Sequence, residues 1–402
     1  MKPAATATTG ATPRSLLLLI FAINAVGQLS FAAVPPVLPE LATALGVSRS
    51  AIGLVHGMVA FAGIFVAAYM GYLLDRFGRR RVVRWSLLLF GSAGTACFFA
   101  SNYWGMLGLR LLQGVGASTL LSVGIVMIGD QFEGPRRRWA MGLNVTAVTI
   151  TGTLGPIAAG ALGEGGAFRP FFLYLIAFPL WVAAGRLPEP AGALVPEPPR
   201  QHLREALDDL RRRRRLWDFL GLLPLSMVSL LVYYGLSQAL TPLFLEREFG
   251  LGTTERGLVL AAGAAASAVA SALAGRVGER LRPAAVIGLS LPLSVAGFVA
   301  VGLSPSLWIV ALGVVLVGGG YGSLVPVMMG FATAAGQPRY RGVLVGTYVT
   351  GNRVGMFAGP ALATAVAGGL GDRRAYLAGA ALIALVAAAW PPLRRLAARG
   401  SG

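Results

Sequence analysis

Residues 71–81 read Gly71-Tyr-Leu-Leu-Asp75-Arg76-Phe-Gly78-Arg79-Arg80-Arg81, an apolar run that meets an acid, turns and enters a cluster of arginines. Gly71 lets one helix approach another closely, as small residues do between membrane helices. Asp75 closes the helix and Gly78 permits a sharp turn. The arginines offer partners to Asp75 and hold the loop on one side of a bilayer. A degenerate copy, Gly275-Arg-Val-Gly278-Glu279-Arg280-Leu-Arg282-Pro283, keeps the opening glycine and an acid–Arg pair 204 residues later. The same offset recurs without gaps: Gly46 with Gly250, Gly53 with Gly257, Trp104 with Trp308, Gly142 with Gly346, and Gly155-Pro156 with Gly359-Pro360. Parallel halves in an apolar chain are the build of a rocker-type carrier, with its site where the halves meet.

The composition agrees. Of 402 residues, 55% are hydrophobic and only 12% charged, too apolar for an ordinary soluble domain. Stretches of about 20 apolar residues, enough to cross about 30 Å of hydrocarbon, recur throughout. Twelve spans are expected, beginning near residues 15, 51, 83, 103, 140, 168, 216, 256, 284, 306, 342 and 374. A net charge of +18 raises the question of nucleic acid, but its distribution answers otherwise. With the N-terminus inside, the outer loops carry only Arg49, Arg169, Arg247, Arg256, Arg373 and Arg374. That bias follows the positive-inside rule, so both termini are expected in the cytoplasm of a cell membrane, a bacterial inner membrane, with lipid headgroups rather than nucleic acid as partners. Cys97 is the only cysteine, which leaves no disulfide and no thiol metal cluster. The first apolar stretch outruns a signal-peptide core, so no cleaved leader is expected.

The expected organisation is a cytoplasmic N-terminus (1–14), a six-helix bundle (15–187), a central loop (188–215), a second six-helix bundle (216–393) and a tail (394–402). The loop opens with a Pro/Gly-rich piece, Leu187 to Pro199, and continues from His202 into Arg211 to Arg215. Its second part reads as an amphipathic helix on the membrane surface, or equally as a solvated linker.

The 71–81 stretch resembles the cytoplasmic loop signature of the major facilitator superfamily. Two further stretches strengthen the resemblance. Leu107-Gly-Leu-Arg110-Leu-Leu-Gln113-Gly114-Val-Gly116-Ala117 is similar to the family's fourth-span motif. Gly152-Thr-Leu-Gly155-Pro156-Ile-Ala-Ala-Gly160 resembles the fifth-span motif of its antiporter branch, with Ala159 as a slight departure, and returns at Gly359-Pro360. The resemblance implies an all-α fold of twelve transmembrane helices in two pseudo-symmetric bundles, alternating access and no cofactor. It implies gating roles for Gly71, Asp75, Arg76, Gly78, Arg79, Arg80, Gly155, Pro156, Gly359 and Pro360. It also implies a part for Arg110 in proton transfer or in organising the cavity; plain satisfaction by Gln113 and helix-end carbonyls is the alternative.

Arg353 stands outside these motifs, about 16 Å into the eleventh span by helical rise. A cation there is too costly to face lipid, and the carboxylates Glu40, Asp75, Asp130, Glu246, Glu279 and Asp372 all fall near span ends. Either an anionic substrate or a structural network explains it. Other polar residues inside spans, Asn24, Gln28, Gln113, Asn144, Tyr233, Tyr234, Gln238, Tyr321, Tyr348 and Asn352, are candidates for the cavity wall or for helix–helix hydrogen bonds. His56 and Asp130 join Arg110 as candidates for proton coupling, His56 because its ordinary pKa suits physiological pH. An interfacial, satisfied histidine is the alternative. The expected function is a monomeric, proton-coupled exporter of a small organic molecule, neutral or anionic because no carboxylate lies within the bundle. An uncoupled facilitator or anion-metabolite transporter, and more remotely a membrane sensor, are the other readings. No nucleophile–base pair, metal cluster or paired carboxylates point to an enzyme.

Overall fold

The computed structural model describes residues 14–188, 199–212, 216–277, 283–337 and 340–389. All regular structure among them is helical. Twelve passes run in order: Arg14–Ala44, Arg49–Phe77, Arg79–Ala96, Tyr103–Gln131, Gly134–Gly163, Arg169–Ile176 continuing through Ala177–Ala183, Leu216–Phe249, Thr253–Val277, Pro283–Leu303, Leu307–Ala334, Arg341–Leu370 and Asp372–Ala389. Nine helices among the described residues are long and apolar enough to cross a membrane; the sixth, eleventh and twelfth passes complete two sets of six.

Local chemistry sets the boundaries. Ser48 caps the second pass, its hydroxyl accepting from the Ala51 amide at 3.3 Å, and Asn102 caps the fourth by accepting from Gly105 at 2.8 Å. The turn between second and third passes falls on Gly78 at φ 81°, a conformation that side chains with a Cβ rarely adopt. The helix Pro199–Arg212 buries Ala206 and Leu210. It docks on the second half, where Asp209 accepts from Gln337 at 2.8 Å and Glu205 accepts from Tyr340 at 3.2 Å. Most of the Pro/Gly-rich stretch before it, Arg213 to Arg215, residues 278–282 of the second loop copy and both chain ends lie outside the described residues. So do the surroundings of Gly71 and the side chain of Asp75.

The two halves meet along two seams, the second pass against the eleventh and the fifth against the eighth. Both seams are closed by glycine at positions related by the internal repeat. A Cβ on Gly53 would lie 2.4 Å from the Pro360 carbonyl oxygen, and one on Gly257 would lie 2.4 Å from that of Pro156. Hydroxyls add to each seam: Thr253 donates to the Gly160 carbonyl and Thr364 to that of Ser50, both at 2.8 Å. These contacts cluster at the end away from the chain termini. Nearer the terminus-bearing end, a Cβ on Gly142 of the fifth pass or Gly346 of the eleventh would meet nothing within 4 Å. The halves are therefore joined at the far end and splay apart toward the terminus-bearing end.

Replacing Gly53 with Val forces this contact open, since 2.4 Å is far inside the 3.4–4 Å of ordinary contact. Spin labels at positions 43 and 369, on opposite halves at the far end, should report a longer distance in Gly53→Val than in the parent. An unchanged distance distribution would show that the seam yields elsewhere.

Candidate functional site

Where the halves splay, a cavity of about 290 Å³ lies between them. Its walls come from the first pass (Gln28, Phe31), the fifth (Thr149, Gly152, Pro156), the seventh (Tyr233, Tyr234, Gln238), the eighth (Ser267, Ser271) and the tenth (Tyr321, Pro326). None of its lining residues carries a carboxylate. The seventh pass widens to a π-helical turn over Tyr233–Leu240, carrying both tyrosines and Gln238; such turns are rare and are frequent at functional sites. Tyr233 and Tyr321 stack in parallel, 3.8 Å between centroids and 5° apart, and Gln238 donates to the Tyr233 hydroxyl at 3.2 Å. Two prolines leave acceptors in the wall. A helical proline removes the donor for the carbonyl four residues earlier. Those residues, Gly152 for Pro156 and Gly322 for Pro326, also line the cavity.

Arg353 borders this cavity rather than lining it. Its guanidinium carbon lies 5.8 Å from the centroid of Phe31, and its Cδ would be 3.1 Å from a Cβ on Gly63. The side chain thus reaches from the eleventh pass into the first half. It is half-buried, and it makes no hydrogen bond or ion pair with any described residue. Beside it, Asn352 accepts from the Ser226 hydroxyl. His56 also lies against Phe31, 6.1 Å away edge-on, and stacks on Tyr234 at 6.0 Å. It is fully buried, and neither ring nitrogen has a partner.

Arg110 is placed differently. It is fully enclosed within the first half. It donates to the carbonyls of Ser30 (2.8 Å) and Val55 (3.1 Å), to Gln113 Oε1 (2.6 Å) and to the Tyr174 hydroxyl (3.2 Å). It therefore ties the first, second, fourth and sixth passes together, away from the cavity wall. Asn24 and Asn144 are likewise buried inside that half. With its amide oxygen and nitrogen assigned to suit their neighbours, Asn24 donates to the Leu121 carbonyl at 2.9 Å and accepts from Asn144 at 2.6 Å. Of the polar residues expected at the cavity, the structure brings Gln28, Tyr233, Tyr234, Gln238 and Tyr321 to its wall, Arg353 to its border, and Asn24, Arg110, Gln113 and Asn144 into the packing of one half.

In the gating set, Arg79 is nearly buried and forms an ion pair with Asp130 at the terminus-bearing end. Arg76 lies exposed, its guanidinium 5.5 Å from the Phe77 centroid. Gly155 packs on Ala32, whose Cβ would be 2.7 Å from its own. Sequence reasoning missed the closure of the far end by charge. Arg256 pairs with Glu40, and Arg49 with Glu246 at 2.6 Å. Each pair joins the end of one half's first helix to the start of the other half's second. The charges were visible as span-end residues, but nothing local told which acid would face which base.

A model of the Major Facilitator Superfamily matches residues 20–255 and 222–401. The Multidrug resistance protein MdtG of Salmonella choleraesuis (strain SC-B67) is 24% identical over 383 residues, covering 91% of this chain and 92% of that protein. The Bacillibactin exporter of Bacillus subtilis (strain 168) is 33% identical over 143 residues, an alignment spanning 34% of this chain and about a third (36%) of the exporter. Among solved structures, a bacterial homolog of the human lysosomal transporter Spinster, inward-facing and unoccupied, superposes with a TM-score of 0.80. It is 17% identical and covers 96% of this chain and 98% of that one.

Two outcomes follow from this geometry. Arg110→Ala leaves two or more buried acceptors without donors, at about 1–3 kcal/mol each, so thermal unfolding in detergent should show a loss of about 2 kcal/mol or more. An unchanged midpoint would mean that water or repacking replaces the network. Glu40→Gln strips the partner from the enclosed Arg256 and should favour separation of the far end by about 2 kcal/mol, between the surface and buried limits for ion pairs. Exchange of the two charges, Glu40→Arg with Arg256→Glu, should restore the parent distance between labels at 43 and 369.

Proposed function

The chain belongs to the Major Facilitator Superfamily, and on that premise we propose a proton-coupled exporter of a small neutral or anionic organic molecule, acting by alternating access. It is a multi-pass membrane transporter and not an enzyme. The finer reading is supported chiefly by one observation: the cation that borders the central cavity, Arg353, has no acidic partner among the described residues, and no lining residue is a carboxylate. A site of that charge repels a lipophilic cation and accepts a carboxylate, an enolate or a neutral acceptor. The tyrosine and glutamine wall supplies stacking surface and hydrogen bonds for such a molecule.

Export is supported by the two relatives, one named for multidrug resistance and one for export. The cell membrane, with both termini in the cytoplasm, is supported by the arginine bias between loops. In this orientation the far end faces outward, and the structure stands in an inward-facing state with Gly53, Gly257 and the two cross-half ion pairs sealing the outside. Asp75, Arg76, Gly78 and Arg79 would then latch the inner end when the halves rock.

His56 is the group best placed to carry the proton. Arg110 has its donors engaged, and Asp130 is paired with Arg79. His56 alone of the three has both ring nitrogens unpartnered. Its position at the outer seam gives it contact with external water once that seam parts. A second reading rests on Arg353 itself. An anion leaving an interior-negative cell gains about 2.3 kcal/mol per 100 mV, so an anionic cargo needs no proton and an uncoupled facilitator would suffice.

The test is counterflow and pH-driven transport in proteoliposomes with a panel of neutral, anionic and cationic aromatic compounds. Anions or neutral compounds should exchange and cations should not. Arg353→Ala should reduce anion exchange at least tenfold, whereas Arg353→Lys keeps part of it. His56→Gln should keep counterflow but lose accumulation driven by a pH gradient. Equal exchange of anions by Arg353→Ala would overturn the charge assignment. Gradient-driven accumulation by His56→Gln would overturn the proton route and favour the facilitator.

A further inference from the structure

A second cleft lies on the perimeter of the first half, away from the transport cavity. It has a volume of about 410 Å³ and is lined by Arg80, Arg81, Arg84, Trp85, Leu88 and Trp181. The third pass contributes its first turns and the sixth pass its last, so the cleft opens at the terminus-bearing end. Both helices pack only within the first half among the principal helix contacts, and neither takes part in the two seams. Their outer faces are therefore turned to lipid. Trp85 is two-thirds exposed there, at 66%.

The cleft collects positive charge. No acidic residue lines it. Arg81 and Arg84 make no ion pair with any described residue. Arg84 lies with its guanidinium carbon 4.8 Å from the Trp181 ring centroid, and its Nε is enclosed without a hydrogen-bond partner. The cation–π contact fixes the guanidinium plane and leaves its donors uncommitted. An enclosed donor with no acceptor is unusual in a folded protein and asks for a ligand oxygen. Tryptophan at this depth belongs to the membrane interface, where one side of the ring meets headgroups and the other hydrocarbon.

We propose that this cleft binds the headgroup of an anionic phospholipid, its phosphate held by Arg81 and Arg84 and its acyl chains laid against Trp85, Leu88 and Trp181. A phosphodiester supplies the acceptors that the two arginines lack, and Arg pairs with phosphate in a bidentate fork. A free inorganic anion satisfies the charge but not the apolar floor of Leu88 and the two indoles. Basic pockets between membrane helices suit such headgroups on general electrostatic grounds.

The experiment is native mass spectrometry of the whole protein released from detergent, titrated with phosphatidylglycerol or phosphatidylcholine. Thermal unfolding is followed on the same samples. The parent should retain one phosphatidylglycerol in preference to phosphatidylcholine, and unfold at higher temperature with it. Arg84→Gln should bind about fivefold more weakly, and Arg81→Gln with Arg84→Gln about twenty-fivefold, at about one such factor per interfacial charge. Arg84→Lys should fall between the parent and Arg84→Gln, because it keeps the charge and loses the bidentate fork, and Trp181→Leu should weaken binding while leaving the charge count intact. Equal retention of the two lipids by the parent, or equal phosphatidylglycerol binding by the arginine variants, overturns the site. Displacement of the lipid by millimolar inorganic phosphate, with the same dependence on Arg84, assigns the cleft to a soluble anion and overturns the lipid. Should Arg84→Gln fail to fold, the parent's lipid preference and its weakening by Trp181→Leu decide the matter.

Discussion

Closure of the seams at the far end rests on a backbone contact, Gly53 against the Pro360 carbonyl and its repeat partner Gly257 against that of Pro156. In a bilayer the lipid tails are as apolar as leucine, so burying apolar side chains gives two helix bundles little reason to meet. What remains is van der Waals contact at short range, which needs the absence of a Cβ, and hydrogen bonds such as those from Thr253 and Thr364. The same geometry makes the contact reversible. Surfaces joined by small residues and a few hydroxyls can part without exposing a large apolar core to water.

The two arginines set within the membrane-crossing helices show how one residue type serves opposite ends. Arg110 meets three acceptors from other helices and Gln113 on its own, and disappears into the packing of one half. Its charge is spread over carbonyls and hydroxyls, and it acts as a bolt. Arg353 meets an aromatic face and little else, at the boundary between halves. A cation is held in such a place at a cost of several kcal/mol unless something answers it. The contrast follows from neighbours, since Arg110 has Gln113 one turn away and carbonyls of adjacent helices within reach. Arg353 is flanked by small residues and faces the opposite half.

Much of the architecture was legible in the chain. The fixed repeat spacing, the apolar windows and the motif at 71–81 led to two six-helix bundles, because hydropathy and helix length are local quantities. The glycine pairs were legible as repeats, but not as partners of the Gly-Pro pairs across the seam. That match depends on how two bundles dock. The cavity was legible in part: Gln28, Tyr233, Tyr234, Gln238 and Tyr321 could be singled out as polar residues in apolar spans. The same rule equally selected Asn24 and Asn144, which bond to each other and not to the cavity. Polarity within a span says that a partner exists, and only the angle of the helix says whether it is a neighbour or a ligand. The π-helical turn at Tyr233–Leu240 has no sequence signature here, and it sets which way those tyrosines point.

The two cross-half ion pairs differ in a way that bears on how the far end parts. Arg256 is wholly enclosed, with Glu40 about a third exposed, whereas Arg49 and Glu246 are both substantially in solvent, at 48% and 36%. Mobile ions screen the second pair over about 8–10 Å at ordinary ionic strength and reach the first poorly. Dissolved salt in the surrounding medium therefore loosens one clasp and spares the other. The fold is symmetric, but the charge closure of its far end is not: salt reaches the pair at Arg49 and largely spares the one at Arg256.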